Sequence, residues 1–439
     1  MTNAVHRFLN VRRGEVAPLL LAAFYFFCVL AALSLLRPAR DAIGIRDGLG
    51  AVRWLFIGTA VATLAVNPLF GWLVSKFRRI AFITATYGVI AASLAGFYVL
   101  FTVAPDAVGQ TSGRVFYVWY SVFNLFCTMV FWALMADRFS LEQSKRLFGV
   151  IAVGGTLGAI AGPWLTSMLA ARIGTPALML VSAALLGVAV AAAWLVVWVQ
   201  PEQAGSARSD DRVVIGGNAW EGLRAVFASR YLLGISMYVL ILTVMATFIY
   251  FTRLAMVAAY GDDTDLRTTM FARLDFYTQL TTLFLQLVVT GHVMKRFGVA
   301  VALALLPLVI ALGFIGLALS ASFVMLILFD ASFRGIQRAI TRPARETLFT
   351  VVSREDKYKS KAVTDTFFYR GGDVLGAWTE GLLRGLGLGI LGLVSVVVPL
   401  AVVWAGLALW LGRSQESMAD TRTVGQPAAP PDAVPSPAR

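Results

Sequence analysis

Apolar residues along this chain form long runs that are separated by short polar and charged breaks. The run LLLAAFYFFCVLAALSLL at 19–36 is typical of them. About twenty apolar residues in a row cross the hydrocarbon core of a bilayer as a helix, whereas a membrane β-strand needs alternating polar and apolar positions. The pattern therefore predicts an all-α integral membrane protein.

Twelve apolar spans are predicted, at 18–36, 54–75, 80–101, 115–136, 148–170, 177–199, 232–252, 270–291, 298–318, 323–341, 362–383 and 388–411. The first span is too long for the apolar region of a signal peptide and lacks a small-residue cleavage site. We therefore expect it to remain in the protein as the first of twelve transmembrane helices.

A polar stretch divides the spans into two groups of six. We expect an N-terminal six-helix half at 1–199, a cytoplasmic linker at 200–230, a C-terminal six-helix half at 231–411 and a disordered cytoplasmic tail at 412–439. The tail is polar and rich in proline, and such a composition cannot bury enough apolar surface to fold.

Two pairs of similar segments predict that the halves are pseudo-symmetric. The turn GWLVSKFRR begins at Gly71 and the turn GHVMKRF begins at Gly291, while GGTLG at 154–158 resembles GGDVLG at 371–376. The members of each pair lie about 220 residues apart. A constant separation is typical of a parallel repeat of six plus six helices. RPARD at 37–41 and RPARE at 342–346 have a different separation and do not belong to this repeat.

Charged residues are scarce and unevenly placed. They form 14% of the 439 residues, where a soluble domain has about a quarter, and mean hydropathy is +0.77. Basic clusters surround the N-terminus and the loops after spans 2, 4 and 8 and before span 11, whereas the opposite loops hold fewer arginines, namely Arg46, Arg53, Arg114, Arg172, Arg253, Arg267 and Arg384. This positive-inside bias predicts a multi-pass protein of the cell (inner) membrane with both termini cytoplasmic. It also explains the net charge of +13 without nucleic-acid binding.

The motifs in the sequence do not indicate an enzyme, a metal site or a cofactor, and we expect none. Cys28 and Cys127 lie within apolar spans and are interpreted as packing residues, and the two histidines form no HExxH motif. GLGILG at 387–392 fits a dinucleotide fingerprint, but no predicted strand precedes it, so its small residues indicate close helix packing. A Walker A motif is also absent from the sequence.

The twelve-span pattern, the G71xLxxKxxR79 turn and GAIAGP at 158–163 resemble the major facilitator superfamily. Three segments are similar to a narrower group, the ATP/ADP translocases: LLRPARDAIGI, LEQSKRLFGVIAVGG and RPARETLFTVVSREDKYKSKAVTD. This resemblance implies a transporter fold and an anionic substrate, with Arg40 at the position of a motif lysine and Lys361 within a second basic motif. Span 4 departs from that group because it offers Tyr117, Tyr120 and Asn124 in place of a carboxylate.

Charged residues within spans 8, 10 and 11 are the strongest candidates for a binding site. A charge at the bilayer centre costs about 2.5–3.5 kcal/mol on the most lenient scale, so it must face a partner or water. One interpretation is a polar cavity in which arginines bind an anion by paired hydrogen bonds and Asp275, Asp330 or Asp373 carries a coupling proton. The other is that the Asp330–Arg334 and Arg370–Asp373 pairs only hold helices together.

We therefore predict substrate-binding residues at Arg40, Tyr120, Asn124, Arg273, Asp275, Gln279, Asp330, Arg334, Arg370 and Asp373, and gating or coupling residues at Asp41, Lys361, Asp365 and Glu380. The leading hypothesis is a secondary active transporter of a small anionic solute that works by alternating access, with the bilayer and a coupling proton as further partners. Nucleotide exchange of the ATP/ADP type is an alternative within the same fold. A membrane enzyme and a non-transporting sensor are alternatives from other classes.

Overall fold

The computed structural model describes residues 12–76, 79–103, 109–200, 219–288 and 290–424, and they fold almost entirely into helices. The first half contains six long helices: α1 (Val16–Gly44), α2 (Leu49–Lys76), α3 (Arg79–Val103), α4 (Gly109–Arg138), α5 (Leu141–Ile173) and α6 (Ala177–Val199). The described turns between them, at 45–48, 139–140 and 174–176, are short. At the start of α5, for example, the Ser140 hydroxyl accepts a hydrogen bond from the Gln143 backbone, and the Gln143 side chain accepts one from the Ser140 backbone.

The second half begins after a short amphipathic helix, α7 (Ala219–Ala228). Its helices are α8 (Arg230–Ala258), α9 (Thr264–Val288), α10 (Thr290–Leu319), α11 (Phe323–Ile336), α12 (Arg342–Leu348), α13 (Arg354–Val363), α14 (Tyr369–Gly385) and α15 (Ile390–Val424). A π-helical turn, Gln337–Thr341, joins α11 to α12, and a second, Thr364–Phe368, joins α13 to α14. With each joined pair counted once, the second half has six long helical segments.

Eight of the described helices, α1, α3, α4, α5, α6, α8, α10 and α15, are long and apolar enough to cross a membrane. α2 contributes a shorter apolar stretch, Leu49–Thr63. α9 carries a stripe of polar residues, and the π turns divide the other two segments into shorter helices. The prediction of an all-α membrane protein with twelve long helices is confirmed, and its least apolar helices are those that carry internal charges.

Most helices extend several residues beyond the predicted spans, and three of these extensions bear on the site or on the tail. α1 continues eight residues past 36 to Gly44, and α8 continues past 252 to Ala258, because tertiary contacts bury Asp41 and Arg253, charged residues that lie beyond the predicted ends. α15 continues to Val424, so the tail predicted from 412 is helical over 412–424. Residues 425–439, and 201–218 of the predicted linker, lie outside the described part, while α7 occupies the end of that linker.

Glycines let two helix pairs approach closely, one in each half. A Cβ at Gly154 of α5 would lie 2.9 Å from the Cα of Ala23 in α1, and one at Gly376 of α14 would lie 3.0 Å from the Cα of Val244 in α8. These are the first and fifth long segments of their halves, and they contain the GGTLG and GGDVLG motifs. The matching role of the two motifs supports the predicted repeat. The side chains of the Gly71 and Gly291 turns lie outside the described part.

Several polar contacts between the halves cluster at one end of the bundle. There the Thr175 backbone N–H donates to Asp265 (2.7 Å), the Arg53 guanidinium contacts Glu380 (3.0 Å) and the Arg253 guanidinium contacts Asp41 (3.3 Å). We call this region, where α1, α5, α8 and α14 end and α2 and α9 begin, the closed end. The opposite end is the one at which α1 begins.

Candidate solute-binding site

A cavity of about 380 Å³ lies between the two halves. α1, α2 and α4 of the first half and α8 and α14 of the second half supply its wall, with the residues Arg40, Phe56, Thr59, Ala60, Thr63, Tyr117, Ser121, Asn124, Leu125, Tyr250, Arg370, Asp373 and Val374. We call it the central cavity. Its lining combines two guanidinium groups, one carboxylate and several hydroxyl and aromatic groups, which is a lining suited to a small polar solute.

Arg40 is fixed in place on the wall of the central cavity. Its Nε donates to Asp41 Oδ1 (2.9 Å), and its guanidinium lies 4.7 Å from the centre of the Tyr117 ring and 5.4 Å from that of Tyr120. A guanidinium stacked on aromatic rings keeps a defined orientation and still has N–H groups to donate. The Tyr120 hydroxyl donates to the Leu33 carbonyl (2.7 Å), and this hydrogen bond fixes the ring that packs against Arg40.

A chain of hydroxyl groups closes the central cavity on the side of the closed end. The Tyr117 and Tyr250 hydroxyls are 2.9 Å apart, and Tyr250 donates to Asp41 Oδ1 (3.0 Å). Tyr117 belongs to the first half and Tyr250 to the second, so this chain joins them. On the facing wall, Arg370 donates to Asp373 (3.4 Å), and its side chain remains 45% exposed. Arg370 is therefore accessible to a solute in the cavity.

Arg253 organises a buried group of charges beside the central cavity. Its side chain is 1% exposed and lies 2.8 Å from Asp275, 3.3 Å from Asp41 and 3.8 Å from Asp330. Asp330 also accepts hydrogen bonds from Arg334 Nε (2.9 Å) and the Thr278 hydroxyl (3.0 Å). Together with Arg40, the group contains three guanidinium groups and three carboxylates, so its charges balance.

The assignment of Arg253 to an outer loop was wrong, because the residue lies inside α8. A signal was present in the sequence: the apolar residues LAMVAA follow Arg253 directly. Arg53 was also placed in an outer loop, yet it is mostly buried in α2, where it contacts Glu380 and donates to the Ala377 carbonyl (3.1 Å). In both cases a tertiary partner, which a hydropathy pattern cannot show, makes the burial favourable.

A second cavity, of about 460 Å³, lies within the second half toward the opposite end. We call it the inner cavity; its lining residues are Leu242, Gln337, Arg338, Thr341, Arg342, Arg345, Asp365, Tyr369 and Arg370. Arg338 donates a short hydrogen bond to Gln279, and Arg345 lies 3.7 Å from Asp365. Arg370 lines both cavities. Sequence reasoning did not select Arg342 or Arg345, although RPARE contains both.

Residues 19–353, more than half of the chain, match the profile described as Major Facilitator Superfamily. The chain belongs to the major facilitator superfamily. Membership in this superfamily makes it a multi-pass membrane transporter rather than an enzyme. A comparison with curated proteins gives no match.

Solved structures with this major facilitator superfamily fold cover nearly the whole chain. A mutant of the nucleoside transporter NupG is 13% identical, with a TM-score of 0.64 over 91% of this chain and 99% of its own. A bacterial homologue of the human lysosomal transporter Spinster, captured in an inward-facing and unoccupied conformation, is 13% identical, with a TM-score of 0.59 over 93% and 99%. The POT family transporter PepTSo is 12% identical, with a TM-score of 0.60 over 93% and 99%. At these identities the likeness shows the fold alone.

In this superfamily member the predicted site residues, apart from Arg273, fall into four groups. The central cavity is lined by Arg40, Asn124, Arg370 and Asp373, and the Tyr120 ring packs against the Arg40 guanidinium. Asp41, Asp275, Asp330 and Arg334 belong to the buried group around Arg253. Gln279 and Asp365 adjoin the inner cavity, and Lys361 contacts Glu346 (2.5 Å) near it. Glu380 lies at the closed end, whereas Arg273 is exposed and lines neither of these two cavities.

Proposed function

We propose that this protein is a secondary active transporter that moves a small anionic solute across the cell (inner) membrane by alternating access. The observation that carries the proposal is the pair of arginines on the central cavity, Arg40 from the first half and Arg370 from the second. An anion held between them contacts both halves at once. Such a site can therefore couple solute binding to a change in how the halves are arranged.

The charge balance of the central cavity favours an anion over a cation. Arg40 shares its partner Asp41 with Arg253, and Arg370 has Asp373 at 3.4 Å while remaining 45% exposed. An anionic group can accept hydrogen bonds from the guanidinium groups of Arg40 and Arg370 without breaking the Asp41–Arg253 ion pair. Guanidinium groups bind carboxylate and phosphate with paired hydrogen bonds, which supplies specificity as well as affinity.

The positions of the contacts between halves indicate which side of the membrane the structure opens to. If both termini are cytoplasmic, as the distribution of basic residues predicts, the closed end faces outward. The central cavity is then closed toward the outside by Tyr117, Tyr250 and Asp41. We infer that this is an inward-facing state, and that opening the closed end produces the outward-facing one.

Asp373 is the residue that we propose for proton coupling. It faces the central cavity and pairs only with Arg370 among the described residues. An anion that binds the Arg370 guanidinium breaks the Arg370–Asp373 pair. The Asp373 carboxylate then lacks a cation, and a proton neutralises it. Anion and proton would cross together in this mechanism.

Exchange of ATP for ADP is the second candidate function. The segments of the sequence that resemble the ATP/ADP translocases favour it, and so does the aromatic part of the central cavity. Phe56, Tyr117 and Tyr250 line the cavity beside Arg40 and offer surfaces on which a purine base can stack. This candidate predicts exchange that needs a nucleotide on both sides of the membrane.

Uptake into proteoliposomes tests both candidates. Purified protein is reconstituted, and uptake of labelled ATP, ADP, phosphate esters and dicarboxylates is measured with and without internal solute and an imposed pH gradient. Uptake that needs internal nucleotide supports exchange, whereas uptake of an anion driven by the pH gradient and lost in Asp373→Asn supports proton coupling. Arg40→Gln and Arg370→Gln should each abolish uptake, while Arg413→Gln, which removes an exposed arginine of α15, should not.

Absence of uptake for every anion, in vesicles that contain correctly folded protein, would refute the proposal of an anionic solute. Uptake of a neutral or cationic solute that survives Arg370→Gln would do the same.

A further inference from the structure

The inner cavity carries more positive charge than its own residues balance. Four arginines line it, against one carboxylate: Arg338, Arg342, Arg345 and Arg370 face Asp365. Asp365 lies 3.7 Å from Arg345, which is also 3.8 Å from Glu346, and Glu346 in turn pairs with Lys361. Arg370 pairs with Asp373 on the side of the central cavity. Arg338 and Arg342 form no ion pair with a described residue. Counted with Lys361 and with Asp373 and Glu346, the carboxylates outside the lining, five cations face three carboxylates, which leaves two positive charges in excess.

The spacing of these arginines makes the excess costly. Arg338, Arg342 and Arg345 stand at positions i, i+4 and i+7, so they share one face of the continuous segment formed by the π turn and α12. Like charges at such spacings repel each other and destabilise a helix. Arg37 and Arg334 also lie close enough to Arg338 to repel it, whereas Asp275 and Asp330, which already surround Arg253, attract it. A bound anion would relieve this repulsion.

Other features of the inner cavity also fit a ligand. Thr341 lines it and is 1% exposed, and its hydroxyl finds no hydrogen-bond partner in the described part of the protein. The two π turns, Gln337–Thr341 and Thr364–Phe368, supply Arg338, Thr341 and Asp365 to the wall. π turns are rare and occur frequently at functional sites. The Tyr369 side chain adds a further hydroxyl group.

We propose that the inner cavity is a second anion-binding site, and that it takes a phosphate-type oxyanion group with two negative charges. The fork of each guanidinium matches two oxygens of such a group, and a dianion leaves the lining close to neutral. The proposal deepens the proposed function, on which it rests: the inner site receives the anionic solute on the side of the opposite end. Arg370, which lines both cavities, then passes the anion to the central one.

Direct binding of inorganic phosphate tests the site without requiring transport. The full chain, purified in a neutral detergent, is titrated calorimetrically with phosphate at constant ionic strength, with chloride as the monovalent comparator. We expect saturable phosphate binding that is about tenfold weaker in Arg342→Gln, since a charge-assisted hydrogen bond is lost. Arg413→Gln removes the same charge from the exposed surface of α15 and should bind like the wild type. Thr341→Val, which is nearly isosteric, should weaken binding by about threefold.

Several outcomes would overturn the inner site. These are no saturable phosphate binding to the folded wild type, equal affinity in Arg342→Gln, or an equal loss in Arg413→Gln, which would indicate non-specific attraction. A second arm uses nanodiscs of neutral or anionic phospholipid. Phosphate binding that survives in neutral nanodiscs but is displaced by anionic lipid would assign the cavity to a lipid headgroup and refute the solute site.

The binding experiment also separates this inference from the proposed function. Phosphate binding that depends on Arg342, in a protein that transports no anion, would keep the inner site and refute the transport of anions. Transport of an anion by a protein that does not bind phosphate would refute the inner site and keep the proposed function. In a transporting protein, Arg342→Gln should raise the KM about tenfold from the side of the opposite end and leave the KM from the closed end unchanged.

Discussion

The guanidinium of Arg253 in α8 and the carboxylate of Asp41 in α1 form a buried ion pair, 3.3 Å apart, that joins the two halves at the closed end. Both residues also have a partner in their own half: Asp275 lies 2.8 Å from Arg253, and Arg40 contacts Asp41. The halves can therefore separate here without leaving either charge unpaired. A transporter that opens and closes this end needs that property, because an unpaired buried charge costs several kcal/mol.

Arg253→Gln should destabilise the protein far more than the loss of an exposed arginine. It leaves three buried carboxylates around a neutral side chain, and we expect a loss of about 3–5 kcal/mol in the free energy of unfolding. Arg114→Gln is the matched control, since Arg114 forms an exposed pair with Asp47 and such pairs contribute about 0–1 kcal/mol. Thermal unfolding of the detergent-purified variants measures both. Adding Asp275→Asn to Arg253→Gln should recover part of the lost stability. Equal losses in Arg253→Gln and Arg114→Gln would contradict this account.

Glu380→Gln should weaken the closed end. Glu380 is fully buried and accepts hydrogen bonds from Arg53 of the other half and Arg384 of its own. Neutralising it removes an attraction that exists only while the halves are in contact there, so the outward-open population should rise several-fold. A cysteine at Thr59 in the central cavity reports this, through labelling by an impermeant maleimide from the side of the closed end. Cys28 and Cys127 are buried and should contribute little background.

Glu416→Gln removes an exposed carboxylate of α15 and is the control for that experiment. Labelling of Thr59→Cys that stays the same in Glu380→Gln and in the control would show that the Arg53–Glu380 pair does not hold the closed end.

Gly158→Ala should destabilise the first half, although alanine is the better helix former. A Cβ at Gly158 would lie 3.0 Å from the backbone nitrogen of Ala31 and closer still to the Phe27 carbonyl, so α5 would have to move away from α1. Overpacking of this kind costs about 1–3 kcal/mol. Gly187→Ala in α6 is the matched control, because its Cβ would meet nothing within 4 Å and should be neutral or stabilising. In thermal unfolding, Gly158→Ala should melt at a lower temperature than Gly187→Ala. A higher melting temperature for Gly158→Ala would refute the close packing of α5 on α1.

Glu15, which precedes α1, should make stability depend on pH. Paired hydrogen bonds from Arg146 (2.9 and 3.1 Å) hold the pKa of Glu15 at about 2, below its ordinary value of 4.5. Because the pKa is lowered in the folded protein, the stabilisation is complete above about 4.5 and is lost as pH falls from there toward 2. Wild type should therefore unfold at a higher temperature than Glu15→Gln at neutral pH, with the gap shrinking below pH 4.5. Glu142→Gln, at an exposed carboxylate, should show a smaller gap, and a gap in Glu15→Gln that grows on acidification would be the wrong sign.

Much of the site could be anticipated because charge within an apolar segment is itself a signal. Arg370 and Asp373 were selected on that ground, and Arg40 through its resemblance to a motif lysine, and all three line the central cavity. The same reasoning could not separate them from Asp275 and Asp330, which have equal charge and similar surroundings in the sequence. Whether a carboxylate faces a cavity or a buried guanidinium depends on how helices pack. Arg253, the partner that decides this, was missed because its charge ended a predicted span.

The sequence by itself determined that the chain is an all-α membrane protein with two groups of six spans, because the length and apolarity of each run depend only on the order of residues. It also determined which helices carry charge. The tertiary structure alone decided which end of the bundle is closed, that Arg253 binds three carboxylates from three other helices, and that Arg338, Arg342, Arg345 and Arg370 share one cavity. Those relationships join residues far apart along the chain, and only the packing of helices brings their charges within reach of one another.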